Sequence, residues 1–214
     1  MTDSYETHAK GIRILPGQWR PHYAYEQIAW ISPPWPSQDY IWLDFPEAVF
    51  ADQGHLFLSA WNPVHPVLFP DMPKVPWQDV PGGMAFEREL PNGVSFGGSL
   101  VREGDAKVAM ELHINNGSET ALTNIKIQTC AYCRGIKEFA DFHNKNKFVH
   151  TAGTGWITLA EALDSGEREG GRFGIGWRGG TLVPDLPSMV CTSNQAERLV
   201  AITGGEDTCS LIGT

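Results

Sequence analysis

Residues 106–133 read AKVAMELHINNGSETALTNIKIQTCAYC, two alternating runs around an Asn-Gly-Ser break. Successive side chains of a strand point to opposite faces. Val108, Met110, Leu112 and Ile114 therefore share one face, and Lys107, Glu111 and His113 share the other. In the second run Ile125, Ile127 and Ala131 line one side, while Lys126, Gln128, Cys130 and Tyr132 line the opposite one. Asn116-Gly117-Ser118 between them is a turn signal, so the two runs are expected to pair as a β-hairpin. With both apolar faces on a core, the other side of that sheet gathers Glu, His, Lys, Gln and Tyr. It is either a solvated sheet face or the floor of a site.

Working outward, the chain reads as further short strands. Tyr40–Phe45, Ala48–Phe50, His55–Trp61, Met84–Leu90 and Val94–Val101 precede the hairpin. Met189–Thr192, Leu199–Thr203 and Thr208–Ile212 follow it. Gly135–Phe142 and Thr158–Leu163 have room for one or two helical turns each. The prolines of Trp30–Pro36 lack donors and restrict their neighbours, so this segment is expected to be irregular. Asn62–Pro81 is a Pro-rich connection of a length that often carries function. Asp164–Gly180 is expected to be a glycine-rich loop. Gly97 and Gly98 interrupt a strand, which marks a bulge or a close approach, with a bulge the simpler reading. Fifteen prolines and 23 glycines leave little space for long helices. The expectation is an all-β fold: one antiparallel two-sheet β-sandwich, of supersandwich or jelly-roll type, spanning 1–214 with a few short helices.

Composition excludes several classes of function. The net charge is -9, and no Lys/Arg cluster exceeds the pair Lys145 and Lys147. Phosphate neutralisation needs such clusters, so neither nucleic acid nor an anionic membrane surface is expected as a partner. No apolar run is long enough for a spanning helix. The first residues, MTDSYET, have neither a basic nor an apolar leader segment, which predicts a cytoplasmic chain. The four cysteines include one close pair, Cys130 and Cys133, and no second; buried, unbridged thiols are expected, with no zinc and no other metal or cofactor. Gly174–Gly179 matches the GxGxxG string, but Thr181, Leu182, Val183 and Pro184 follow where a dinucleotide site needs a helix. It reads as a glycine-rich turn.

Two residue types remain as carriers of chemistry. Eight tryptophans is a high number for this length; large aromatics plug sandwich ends or stack on sugar rings. Trp61, Trp77 and Trp177 are the foremost of these. Histidines supply bases or metal ligands. Glu111 and His113 point the same way, about 7 Å apart at Cα by strand geometry. His143 and His150 flank a polar turn beyond the hairpin.

The segments Phe45–Ala48, Pro73–Trp77, Leu90–Gly97 and Asn115–Tyr132 together resemble a family of uncharacterised bacterial proteins. The run INNGSETALTNIKIQTCAY also resembles strands of galactose-mutarotase-like supersandwich domains of carbohydrate enzymes. The first resemblance implies no activity; it implies a further His- and Cys-containing segment beyond the position matching Thr214. The second implies carbohydrate chemistry of the kind that uses a His and a Glu.

The leading expectation is a carbohydrate-directed enzyme, a hydrolase, lyase or epimerase. Glu111, His113 and His143 are its candidate acids and bases. Lys126 or Arg134 would steady developing negative charge. Trp61, Asn62, His65, Gln128, Tyr132 and Asn144 would complete the contacts to a sugar or other small molecule. Two alternatives are a non-catalytic carbohydrate-binding module using aromatics alone, and a metal-dependent hydrolase such as a lactonase.

Overall fold

The computed structural model describes residues 11–18, 26–59, 67–164 and 184–205. Strands make up 52% of it, and its helical pieces are six residues or shorter, so the fold is all-β. Among the described residues no helix is long and apolar enough to cross a membrane. The chain divides into two compact units, 1–132 and 133–214.

The first unit contains two antiparallel sheets. One is built from β1 (Ile14–Pro16), β2 (Ile28–Ile31), β3 (Ile41–Ala51) and β4 (Gly54–Leu58) in that order. The other is a meander of β5 (Gln78–Val80), β6 (Gly83–Glu89), β7 (Val94–Glu103) and β8 (Lys107–Asn116). The last strand, β9 (Lys126–Tyr132), joins the first sheet. With 11 residues, β3 is long enough to pair β2 along its first half, β4 along its second, and β9 along both. Where two strands had been expected around Pro46, β3 is continuous, with register shifts that absorb the interruption.

The two sheets face each other across an aromatic core. Phe45 and Phe57 come from one sheet, Phe86 and Phe96 from the other, and all four are almost wholly buried. The rings of Phe57 and Phe96 lie 5.2 Å apart, and Phe86 meets Phe96 edge-on at 6.3 Å. Burying one such ring stabilises by about 1.5–3 kcal/mol. A Cβ on Gly98 would lie 2.8 Å from Phe45 Cε1 and 2.6 Å from the Glu111 carbonyl oxygen. Glycine here brings the sheets together; the β6–β7–β8 register runs unbroken through Gly97 and Gly98, so neither marks a bulge. Trp77 closes the sandwich: its indole N–H donates to the Ile28 carbonyl at 2.7 Å and its ring packs edge-on against Phe86. Arg88 is buried with its guanidinium 5.3 Å from the Phe57 ring centre, donating to the Pro73 carbonyl at 2.6 Å.

The expected hairpin of the two alternating runs does not form. β8 pairs β7, and β9 pairs β3 in the opposite sheet. The intervening connection passes from one sheet to the other. Its Asn-Gly-Ser break closes on itself, with the Asn116 side chain accepting from Ser118 and donating to the Thr120 carbonyl. Beyond it, Asp52 in the β3–β4 turn accepts from Thr123 Oγ1 at 2.7 Å and from the Asn124 amide at 2.8 and 2.9 Å. Gln53 donates to the Ala121 carbonyl. The assignment of faces within each run stands: Ile127 and Ala131 lie opposite buried Val49 and Leu43. β8 is an edge strand, which leaves Met110 half-exposed.

The second unit is built on a four-stranded sheet in the order β11 (Gly155–Thr158), β10 (Lys147–Thr151), β12 (Pro184–Thr192), β13 (Leu199–Thr203). A short helix, α1 (Leu159–Asp164), follows β11 and buries Leu159 and Ala162 against Val149. Thr158 and Glu161 start it as a reciprocal capping box: Thr158 N–H donates to the Glu161 carboxylate and Glu161 N–H donates to Thr158 Oγ1. Cys133–Gly135 and Lys137–Phe139 are single 3-10 turns in place of the helix expected over Gly135–Phe142. β2 claims Trp30 and Ile31, so irregularity begins only at Ser32. Residues 165–183, with the GxGxxG string, and the strand expected over Thr208–Ile212 lie outside the described residues.

Candidate functional site

On the outer face of the four-stranded sheet, Glu87, Gly97 and His113 stand in one row across β6, β7 and β8. Two strand spacings, about 10 Å, separate the outer members at their backbones. Their side chains nevertheless meet over Gly97, with His113 Nε2 2.8 Å from Glu87 Oε2. A Cβ on Gly97 would lie 2.2 Å from that carboxylate oxygen and 2.9 Å from His113 Cε1. Glycine is the condition for the contact. Glu111 occupies the next row, opposite Ser99, and projects from the same face. The face is open, and both partners of the pair are about half-exposed. A pair so exposed stabilises by at most about 1 kcal/mol.

The outer face of the five-stranded sheet is aromatic. Trp30, Trp42 and Tyr132 are direct cross-strand neighbours on β2, β3 and β9. The Trp30 ring lies 5.9 Å from Trp42 and 5.9 Å from Tyr40, nearly parallel to the latter at 29°. Trp42 keeps 37% and Tyr132 48% of its surface exposed, large values for rings on a sheet face. Lys126, Gln128 and Cys130 alternate along β9 on the same side, with the Gln128 amide donating to the Glu47 carboxylate. Gln128 and Lys126 lie about 13 and 20 Å from Tyr132 along β9.

Glu111 and His113 therefore do not converge with Lys126, Gln128 and Tyr132. The two groups occupy outer faces of opposite sheets of one sandwich. The alternation within each run is right, but the runs do not neighbour each other.

Arg134, His143 and Asn144 belong to the second unit. Arg134 stacks its guanidinium 4.9 Å from the centre of the exposed Phe142 ring. His143 and Asn144 sit in a loop wound around Asp141. The Asp141 carboxylate accepts backbone N–H groups from His143 at 2.8 Å, Lys145 at 2.6 Å and Asn146 at 3.0 Å. Burial acts to raise the Asp141 pKa, but these three donors prevail and hold it below the usual carboxylate range. Asn144 adopts a positive φ of 57°, and its Oδ1 accepts from buried Lys147 at 3.1 Å. A shallow depression of about 310 Å³ opens beside this loop, lined by Ala140, Asp141, Lys145, Asn146 and the turn after β12. Elsewhere in the unit His150 Nδ1 contacts Asp185 Oδ1 at 2.6 Å, with Trp156 edge-on to the imidazole.

Trp61, Asn62, His65 and Trp177 lie outside the described residues. Trp77 is committed to sealing the core. Among the described residues no group of three or more His, Cys, Asp or Glu side chains is placed to hold a metal ion. Glu87, Trp30, Tyr40 and Trp42 were not singled out as site residues from sequence. The shared parity of Tyr40, just before β3, and Trp42 within it is a signal for the aromatic strip. Nothing local announces Glu87 as the partner of His113. Comparison with family models, with curated proteins and with solved structures gives no match.

Proposed function

We propose that the first unit is a non-catalytic carbohydrate-binding module whose platform is the outer face of its five-stranded sheet. The observation that carries this reading is the cross-strand row Trp30, Trp42 and Tyr132, in which Trp42 and Tyr132 are exposed. The C–H face of a sugar ring is apolar and stacks on an aromatic ring, while its hydroxyls need donors and acceptors at the edge. Gln128, Glu47 and Lys126 stand further along the same face, where a longer oligosaccharide would reach them. Rings fixed on strands lose little freedom on binding, which favours affinity from a small contact. The chain's net charge of -9 favours neutral over acidic polysaccharides.

A second reading keeps the carbohydrate and makes the chain an enzyme, with Glu87 and His113 exchanging a proton. The 2.8 Å contact favours it. The openness of that face counts against it, because acid–base chemistry on a sugar profits from excluding water.

Electrophoresis through gels containing neutral polysaccharides (β-glucan, xylan, mannan, galactan) or polygalacturonate separates the readings. The binding-module account predicts retardation by at least one neutral polymer. Trp42→Ala and Tyr132→Ala should each weaken it at least about tenfold, or about 1.4 kcal/mol, with the melting temperature nearly unchanged. Glu111→Gln and His113→Ala should leave it intact. Loss in the latter pair alone transfers the site to the other face. Retardation by none of the polymers rejects the module.

A further inference from the structure

We propose that the outer edge of β8 is a self-association surface, where two copies of this chain join β8 to β8, antiparallel, about a two-fold axis at Leu112. β8 runs ten residues, Lys107–Asn116, and ends the four-stranded sheet. Among the described residues no strand pairs its outer side. A long free edge is a template for another strand, and proteins ordinarily blunt it with bulges, prolines or lysines. β8 carries no proline, and its register with β7 is unbroken from end to end. Its one lysine, Lys107, is ion-paired with Glu103 beside the β7–β8 turn. The opposite edge strand, β5, is by contrast only three residues long. Met110 stands on the core-facing side of β8, opposite fully buried Leu100, yet keeps 37% of its surface exposed. A second strand alongside would cover it.

The backbone supplies the hydrogen bonds and the side chains choose the register. The Glu111 carbonyl points to β7, where it lies 2.6 Å from the position of a Cβ on Gly98. Alternation then turns the N–H and C=O groups of Val108, Met110, Leu112, Ile114 and Asn116 outward. About the Leu112 axis, Leu112 pairs with its own copy. Met110 pairs with the second copy's Ile114, and Val108 with its Asn116. About ten main-chain hydrogen bonds result. Between them fall the non-hydrogen-bonded pairs, where side chains approach most closely. There Glu111 faces the second copy's His113, twice by symmetry. His113 holds Glu87 through Nε2, which leaves Nδ1 for that carboxylate. Acid thus meets base directly across the strands, and such pairs stabilise where like charges destabilise. An axis at Glu111 would set Glu111 on itself, and one at His113 would set His113 on itself. An axis at Met110 would put Lys107 against His113 and Glu111 against Ala109. The Leu112 register alone matches acid to base and apolar to apolar, and an isologous contact of this kind closes as a dimer.

Sedimentation velocity of the full chain over a micromolar concentration series tests the association. The expected result is a concentration-dependent species of twice the chain mass. Met110→Pro removes an outward N–H that only a second strand uses, a change that edge strands tolerate. It should weaken dimerisation at least about tenfold, with the far-ultraviolet circular dichroism unchanged. Met110→Lys, which charges the edge and leaves the backbone intact, should do the same and decides the matter if the proline variant misfolds. Cysteine cross-linking reads the register. Ala109 and the second copy's Asn115 are directly opposed about the Leu112 axis. An oxidised equimolar mixture of Ala109→Cys and Asn115→Cys should therefore cross-link beyond the wild-type level, and neither variant alone should. A dimer that survives both Met110 variants, or Ala109→Cys cross-linking to itself, would overturn the proposal. So would a chain monomeric at every concentration, whether the edge then binds an extended peptide of another protein or nothing.

Discussion

Gly97 settles at the level of one atom what the polar face of the four-stranded sheet can do. Any larger residue there places its Cβ 2.5 Å from the Phe86 carbonyl oxygen as well as against Glu87 and His113. Backbone cannot yield as a side-chain tip can. Gly97→Ala is therefore expected to destabilise the first unit by about 1–3 kcal/mol, the usual cost of overpacking, in urea titrations of wild type and variant. His113→Ala is expected to cost no more than about 1 kcal/mol, since it removes only an exposed pair. Comparable losses in the two variants would mean that the glycine matters for the Glu87–His113 contact and not for the backbone approach. Sequence reading marks this glycine as special and favours a bulge, where the unbroken register shows a close approach. The choice rests on Glu87, 26 residues from His113 in the chain and brought beside it only by the β6–β7–β8 meander.

At the scale of elements, the crossover between β8 and β9 is what separates the residues first grouped into one site. Alternation is a property of a single strand and fixes which side chains share a face. It says nothing of which strand lies alongside. The Asn-Gly-Ser signal is a true turn, yet the chain continues past it to Thr123 and Asn124, which bind Asp52. The Asp52 pKa is lowered, first by the Asn124 hydrogen bond, then by Thr123 against a small opposing effect of burial, with Lys126 adding to the lowering. The sign of the linkage follows. With a folded pKa below the unfolded value of about 3.9, Asp52 stabilises the fold fully above that value. The contribution is lost as pH falls through the folded pKa. Asp52→Ala should lower the melting temperature at neutral pH and approach wild type in strong acid. Melting curves at pH 7, 4 and 2 check this, and a constant difference across them would contradict it.

For the whole molecule, the all-β class is legible in proline and glycine load and in the period-two runs, because these act locally. The two-unit organisation is not legible, since β9 ends at Tyr132 and the next turn begins at Cys133 with no change of composition between. The candidate site was legible only as parts, Tyr132 on its face and Glu111 and His113 on theirs, while the assignment of Arg134, His143 and Asn144 to a second unit comes from the structure alone. The aromatic row needed the β2–β3–β9 pairing to become visible, for Trp30 and Tyr132 are brought together only through β3. The central claim is that this row, and not the Glu87–His113 face, is the binding surface of the first unit. Isothermal titration with oligosaccharides of the polymer that retards the chain tests it most directly, comparing wild type, Trp42→Ala and the double variant Glu111→Gln, His113→Ala. The account predicts at least about tenfold weaker binding for Trp42→Ala and wild-type affinity for the double variant. Wild-type affinity in Trp42→Ala, with binding lost in the double variant, would contradict it.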